Sequence, residues 1–289
     1  MHGIDHLVLP VATLAGARAR LAALGFTVAP EARHPFGTGN CCVFFENRTY
    51  LEPVSVVDRE STEAAIAGRL FFVERVAGFA KRCGEGFAML ATRSVDAAAD
   101  AARFAAAGIG VEPLFRFSRK AEQPDGSERE IGVVLAFAAD PRAVDAAFFA
   151  CQHLSADALW RPDYLAHPNG ARGIVSAAAV AESPADFHIL LEAATGCREL
   201  RVTSFEVEAD LGGARVTIFT PIGYRARYGV EPPDPGRGLR LAAFEVEVSD
   251  LAGAARFAPP GSLRREEMIV VPAAPGLGAA LAFRAGTDD

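Results

Sequence analysis

The chain has 289 residues, enough for one large core or two ordinary ones, with 51% apolar and 22% charged residues, the balance of a soluble globular protein. A formal charge of −7 without a basic run excludes a nucleic-acid footprint, and no uncharged apolar stretch reaches the ~20 residues that span a bilayer. Cys41, Cys42, Cys83, Cys151 and Cys197 form no CxxC pair, which argues against a disulfide framework or zinc ribbon and for a reducing, cytoplasmic setting.

Residues 4–11, IDHLVLPV, read as a buried strand, and the amino terminus has no basic segment of the kind a signal peptide carries. Alternation places His6 on one face with Ile4 and Val8, and Leu7 and Leu9 on the other. Thr13 caps a helix with Leu14, Leu21 and Leu24 on one side, and Gly25 ends it. Three β-like runs follow, FTVAP, NCCVFFE and YLEPVSV, then a polar joint at 58–63 and a helical connector from about 63 to 80.

The same order then recurs. GFAMLAT (86–92) precedes a helix with Ser94 as cap and Gly108 as stop, then the strands VEPLFRF, IGVVLAF and AAFFACQH. The loop between the first two carries an Asp125-Gly126 turn signal. Residues 154–172, with Pro162, Pro168 and Asn169-Gly170, read as an inter-domain link. A third unit starts at GIVSAAAV. Its helix is expected to open on a Ser183 cap with Asp186 at the capping-box position, and to bury Phe187, Leu190, Leu191 and Ala194. Gly212-Gly213 suits a tight hairpin, and LRLAAFEVEV opens a fourth unit, whose helix Asp250 caps. The pattern gives an α+β fold in two domains, 1–155 and 156–289.

The segments IDHLVLPV, HPFGTGN (34–40) and YLE (50–52) give the first unit a resemblance to the vicinal oxygen chelate superfamily of glyoxalases, extradiol dioxygenases and bleomycin-resistance proteins. Within it, the chain is most similar to the glyoxalase-like domain proteins. The resemblance implies four βαβββ modules paired into two half-barrels, with metal ligands on the first and last strands of both modules in a pair. His6 and Glu52 hold those positions in module one. Module two offers Phe87, Ala88 and Met89 on its first strand and no acid on its last, where His153 falls near the expected place. His6, Glu52 and His153 would compose a two-His-one-carboxylate site for Fe, Mn, Ni or Zn, with Glu52 sharing general-base work. The plainer alternative makes His6 a core histidine and His153 a solvent-facing one.

Gly37 and Gly39 let HPFGTGN turn, so that His34, Thr38 and Asn40 hold a ligand oxygen over the cleft, or else form an ordinary β-turn. In WRPDYLAHPNGA (160–171), which also resembles a segment of this group, Arg161 either pairs with a substrate anion or helps Trp160 to pin the linker. The carboxy-terminal pair lacks the corresponding histidines and acids, unlike extradiol dioxygenases, whose iron lies there, and is expected to be degenerate and structural. PGLGAAL (275–281) has no strand–helix–strand context, so no nucleotide cofactor is expected. The expected function is binding of a small oxygenated metabolite in the amino-terminal cleft through a divalent metal, with isomerase, lyase or dioxygenase-type chemistry. The alternative is metal-free sequestration of bleomycin-resistance type. Expected partners are a small-molecule ligand and a second copy of the chain, with neither nucleic acid nor membrane.

Overall fold

Strand β1 (Ile4–Pro10) lies at the centre of the amino-terminal half of the computed structural model, which describes residues 2–122, 128–155, 159–265 and 267–286. It is buried along its whole length, with β5 (Tyr50–Val56) parallel on one side and β6 (Met89–Ser94) antiparallel on the other. Helix α1 (Leu14–Ala23) follows, with Thr13 accepting from the Gly16 N–H and Gly25 turning out of it at φ +80. The next strands, β2 (Ala32–Arg33), β3 (Thr38–Asn40) and β4 (Val43–Phe44), are short. FTVAP is not a strand: Arg18 takes the carbonyls of Val28 and Ala29, and Thr27 faces the linker. Thr27 donates its N–H to His167 Nδ1 and its hydroxyl to the Ala166 carbonyl.

The connector is two helices, α2 (Arg59–Ala67) and α3 (Phe71–Cys83), broken where Arg69 takes φ +58. Helix α4 (Ala97–Ala106) is capped by Asp96, which accepts from the N–H groups of Ala98 and Ala99, while Ser94 accepts from Asp96 itself. Strands β7 (Gly110–Glu122), β8 (Glu128–Ala138) and β9 (Ala147–His153) complete a sheet ordered β2-β3-β5-β1-β6-β9-β8-β7, with β4 against β5. The Asp125-Gly126 turn signal lies outside the described residues.

The second half repeats the plan with β10 (Ala171–Val180), α5 (His188–Thr195), β11 (Arg201–Val202), β12 (Glu206–Asp210) and β13 (Arg215–Phe219). After α6 (Pro221–Tyr228) come β14 (Arg240–Val248), α7 (Leu251–Ala255), β15 (Leu263–Arg264), β16 (Met268–Val271) and β17 (Ala280–Ala285). Their sheet order is β11-β12-β13-β10-β14-β17-β16-β15, so each sheet joins two modules through an antiparallel seam between their first strands. Ser183 makes no side-chain cap: Pro184–Phe187 form a 3₁₀ turn and the α-helix starts at His188. The expected stripe of Phe187, Leu190, Leu191 and Ala194 is buried. The sequence reading missed α6. It packs Tyr224 and Tyr228 against Phe219, and buried Glu245 is clamped nearby by Arg227, Arg284 and the Tyr228 hydroxyl.

One apolar core runs through both halves, with Phe26 on Phe283 and Phe87 edge-on to Phe244. The linker is pinned by His167, which donates to the Phe44 carbonyl, and by Asn169, which donates to that of Leu24. Among the described residues, no helix is long and apolar enough to cross a membrane. Gly37 shows how the first sheet edge is held: at φ +87, a Cβ there would lie 2.5 Å from the Asp58 carbonyl and 2.6 Å from the Thr62 nitrogen. Gly37→Ala should therefore cost about 2 kcal/mol, measured as a lower urea midpoint. An unchanged midpoint would mean the turn is not held against α2.

Candidate functional site

The site begins with an irregularity in β1. Its register against β6 steps from Ile4↔Thr92 to His6↔Ala91, leaving Asp5 as the extra residue of a β-bulge. Ile4 therefore joins Leu7 and Leu9 in the core, against the expectation that it shares the His6 face, while Val8 lies in the other cluster. Asp5 is brought alongside His6: its Oδ1 is 2.6 Å from His6 Nδ1. His153 Nε2 reaches both Asp5 oxygens, at 3.0 and 3.1 Å.

Asp5 is an ionised acceptor. Burial alone would raise its pKa, but hydrogen bonds from His153 and His6 outweigh that and hold it below the usual carboxylate range. His153 answers in the opposite sense: burial pulls its pKa down, and the Asp5 bond and charge raise it above 6.5. With Nδ1 turned to Asp5, His6 directs its Nε2 at Glu52 Oε2, 3.6 Å away. The His6 ring is fixed by stacking on Tyr50, with centroids 4.3 Å apart, and by the edge of Phe149.

Glu52 is itself positioned by the second polar group. Asn40 Nδ2 donates to Glu52 Oε1 at 2.8 Å and lies 3.2 Å from His34 Nε2, so one amide serves both with its two hydrogens. His34 Nδ1 donates to Thr38 Oγ1 at 2.8 Å. Burial pushes the His34 pKa down against the pull of the Glu52 charge, which keeps the ring neutral. The Gly37 backbone groups are already engaged: its N–H bonds the His34 carbonyl, and its carbonyl accepts from Val57 and Asp58. HPFGTGN contributes side chains to the cleft.

His6, His34, Asn40, Glu52 and His153 all line one cavity of about 60 Å³, together with Arg119 and apolar groups such as Phe72, Val133 and Phe149. Thr38 stands behind His34. Arg161 is not among the lining residues: it stacks on Tyr164 and lies 3.6 Å from Asp163, while neighbouring Trp160 packs on Phe44 and Tyr50. His6 and Glu52 face each other, whereas His153 turns to Asp5. Among the described residues, Asp5, Cys151 and His153 form the group whose donor atoms lie within 4.8 Å of one another and could hold a metal ion. Burial raises the Cys151 thiol well above 9, so it is no ready thiolate.

The two modules can be superposed by register. Met89 stands seven residues before the Asp96 cap, as His6 does before Thr13, and Phe149 pairs with Ala91 as Glu52 pairs with Val8. Two of the four positions are thus apolar, and His153 lies four residues beyond the matching one. Asp5 and Cys151 were not singled out from the sequence. The one available signal for Asp5 was an acid beside a histidine in an otherwise apolar strand.

A family model described as a glyoxalase-like domain matches residues 4–195. No curated protein matches the chain. Among solved structures, a hypothetical protein from Staphylococcus aureus has 12% identity and a TM-score of 0.70, over 99% of this chain and 100% of that one. A mutant 4-hydroxymandelate synthase from Streptomyces coelicolor has 16% identity and a TM-score of 0.55, over 100% and 94%. A halotolerant catechol dioxygenase has 10% identity and a TM-score of 0.54, over 100% and 89%. At these identities the likeness is one of fold.

Proposed function

We infer that this chain, which belongs to the glyoxalase-like domain family and has the vicinal oxygen chelate fold, binds a small oxygenated ligand in its amino-terminal cleft through a divalent cation held by His6 and Glu52. One observation carries the reading: His6 Nε2 and Glu52 Oε2 face each other across 3.6 Å in a buried cleft. A buried imidazole and carboxylate are stable together when they share a positive charge, and the separation is close to that of two donors on one ion. Behind His6, Asp5 accepts from Nδ1, the carboxylate–histidine support that fixes a metal-binding imidazole.

An imidazole with a carboxylate suits Fe, Mn, Ni or Zn, and His153 at the same cavity is the third candidate donor. A bound cation would supply polarisation of a carbonyl or hydroxyl oxygen. Glu52, aimed by Asn40, is the group placed to take a proton from the ligand, and the apolar walls keep water away. These features support isomerase, lyase or oxygenase chemistry. All five cysteines are unpaired, which supports a cytoplasmic setting.

A second reading, metal-free sequestration, is favoured by Met89 and Phe149 at the matching positions of module two. Thermal unfolding of chelator-treated protein titrated with each ion separates the two. Saturation at about 100 times Kd should stabilise the fold by about 2.7 kcal/mol. If none of the ions shifts unfolding, the cation reading is wrong and the cleft is a metal-free binding site.

A further inference from the structure

The cleft contains one guanidinium, that of Arg119. It lies on β7 two residues beyond Phe117 and opposite Ile131 of β8, and all three line the cavity, as strand alternation requires. Buried acids elsewhere in the molecule hold arginines: Asp145 binds Arg82 and Arg237, and Glu245 binds Arg227 and Arg284. Arg119 is half-buried, and among the described residues its side chain makes neither a hydrogen bond nor an ion pair. Its charge nevertheless reaches the site, contributing, after burial and the Glu52 charge, to the pKa values of both His34 and Cys42.

A guanidinium is a planar fork of donors that matches a carboxylate, and it is costly to leave partly desolvated without a partner. Between it and the polar cluster the walls are apolar, with Phe117, Ile131 and Val133 on adjacent strands. Glu52, on the same lining, repels an anion, so a carboxylate is favoured at Arg119 and disfavoured at Glu52. We propose that the cleft takes a small carboxylic acid with a second, oxygenated end: the carboxylate pairs with Arg119, the carbon chain lies along the apolar walls, and the oxygenated end meets His6 and Glu52. The last of these contacts rests on the function proposed above, whereas the Arg119 contact does not.

The test uses 4-oxopentanoate, 5-oxohexanoate and 6-oxoheptanoate, each beside its neutral amide, titrated into the chelator-treated full chain by calorimetry. At least one acid should bind about tenfold more tightly than its amide, the scale of a charge-assisted pair. Arg119→Gln should abolish that preference and Arg119→Lys should keep part of it, with unfolding midpoints unchanged because, among the described residues, the Arg119 side chain holds no partner. The proposal is overturned if no acid is preferred over its amide in the wild type, or if the preference survives in Arg119→Gln. Because no metal is present, failure of the cation reading leaves this result intact, and failure here leaves that reading standing.

Discussion

His6→Ala is expected to abolish divalent-cation binding, lowering affinity by more than about a hundredfold, while Cys151→Ala leaves it unchanged. The imidazole is one of two groups facing the gap, and the side chain that replaces it has no donor. Asp5→Asn should fall between them, at about 10–100-fold, because the amide still fills the space but no longer fixes the His6 tautomer. Equilibrium dialysis with metal analysis reads all three, and circular dichroism checks that each variant is folded. Binding retained in His6→Ala and lost in Cys151→Ala would move the ion to the Asp5–Cys151–His153 group.

Asp145→Ala should destabilise the protein by about 3 kcal/mol, the low end for breaking a buried ion pair, because its arginine partners keep some access to water. The carboxylate is fully buried and joins the two halves. Arg82 of α3 donates to one oxygen at 2.7 Å, and Arg237, ahead of β14, donates to the other at 2.8 Å. Burial alone would raise the Asp145 pKa, but the bonds from Arg82 and Arg237 outweigh it and lower the value below 3.8. A carboxyl lowered on folding contributes stability above its unfolded pKa and loses it as pH falls through the folded one. The gap between wild type and Asp145→Asn should therefore be full at pH 7 and shrink as pH falls below 3.8. A gap independent of pH in urea titrations would show that the carboxylate charge does not join the halves.

Much of this was legible in the chain because repetition is a strong signal. Thr13, Gly25 and the Gly212-Gly213 turn do what their chemistry suggests, and the modules pair as their order implies. His6, Glu52 and Asn40 could be placed near one another because strands of one sheet carry them, with His34 in the turn that leads to Asn40. The bulge at Asp5 could not be foreseen, because alternation assumes an unbroken register and one extra residue reverses which side chains meet. For the same reason His153 was readable as near the site but not as the partner of Asp5. Arg119 was hidden in a charged segment that resembles a solvated loop, and only the pairing of β7 with β8 turns it towards the cleft. Ser183 carried every sign of a cap, yet the chain tightens into a 3₁₀ turn there and leaves the hydroxyl without a capping bond.

The most direct measurement is the absorption spectrum of the chain reconstituted with cobalt(II), recorded for the wild type and for Cys151→Ala. A cation between His6 and Glu52 gives a nitrogen–oxygen site, so cobalt should bind without a sulfur-to-metal charge-transfer band, and the two spectra should coincide. A sulfur band that disappears in Cys151→Ala would contradict this assignment, as would a failure of the wild type to bind cobalt.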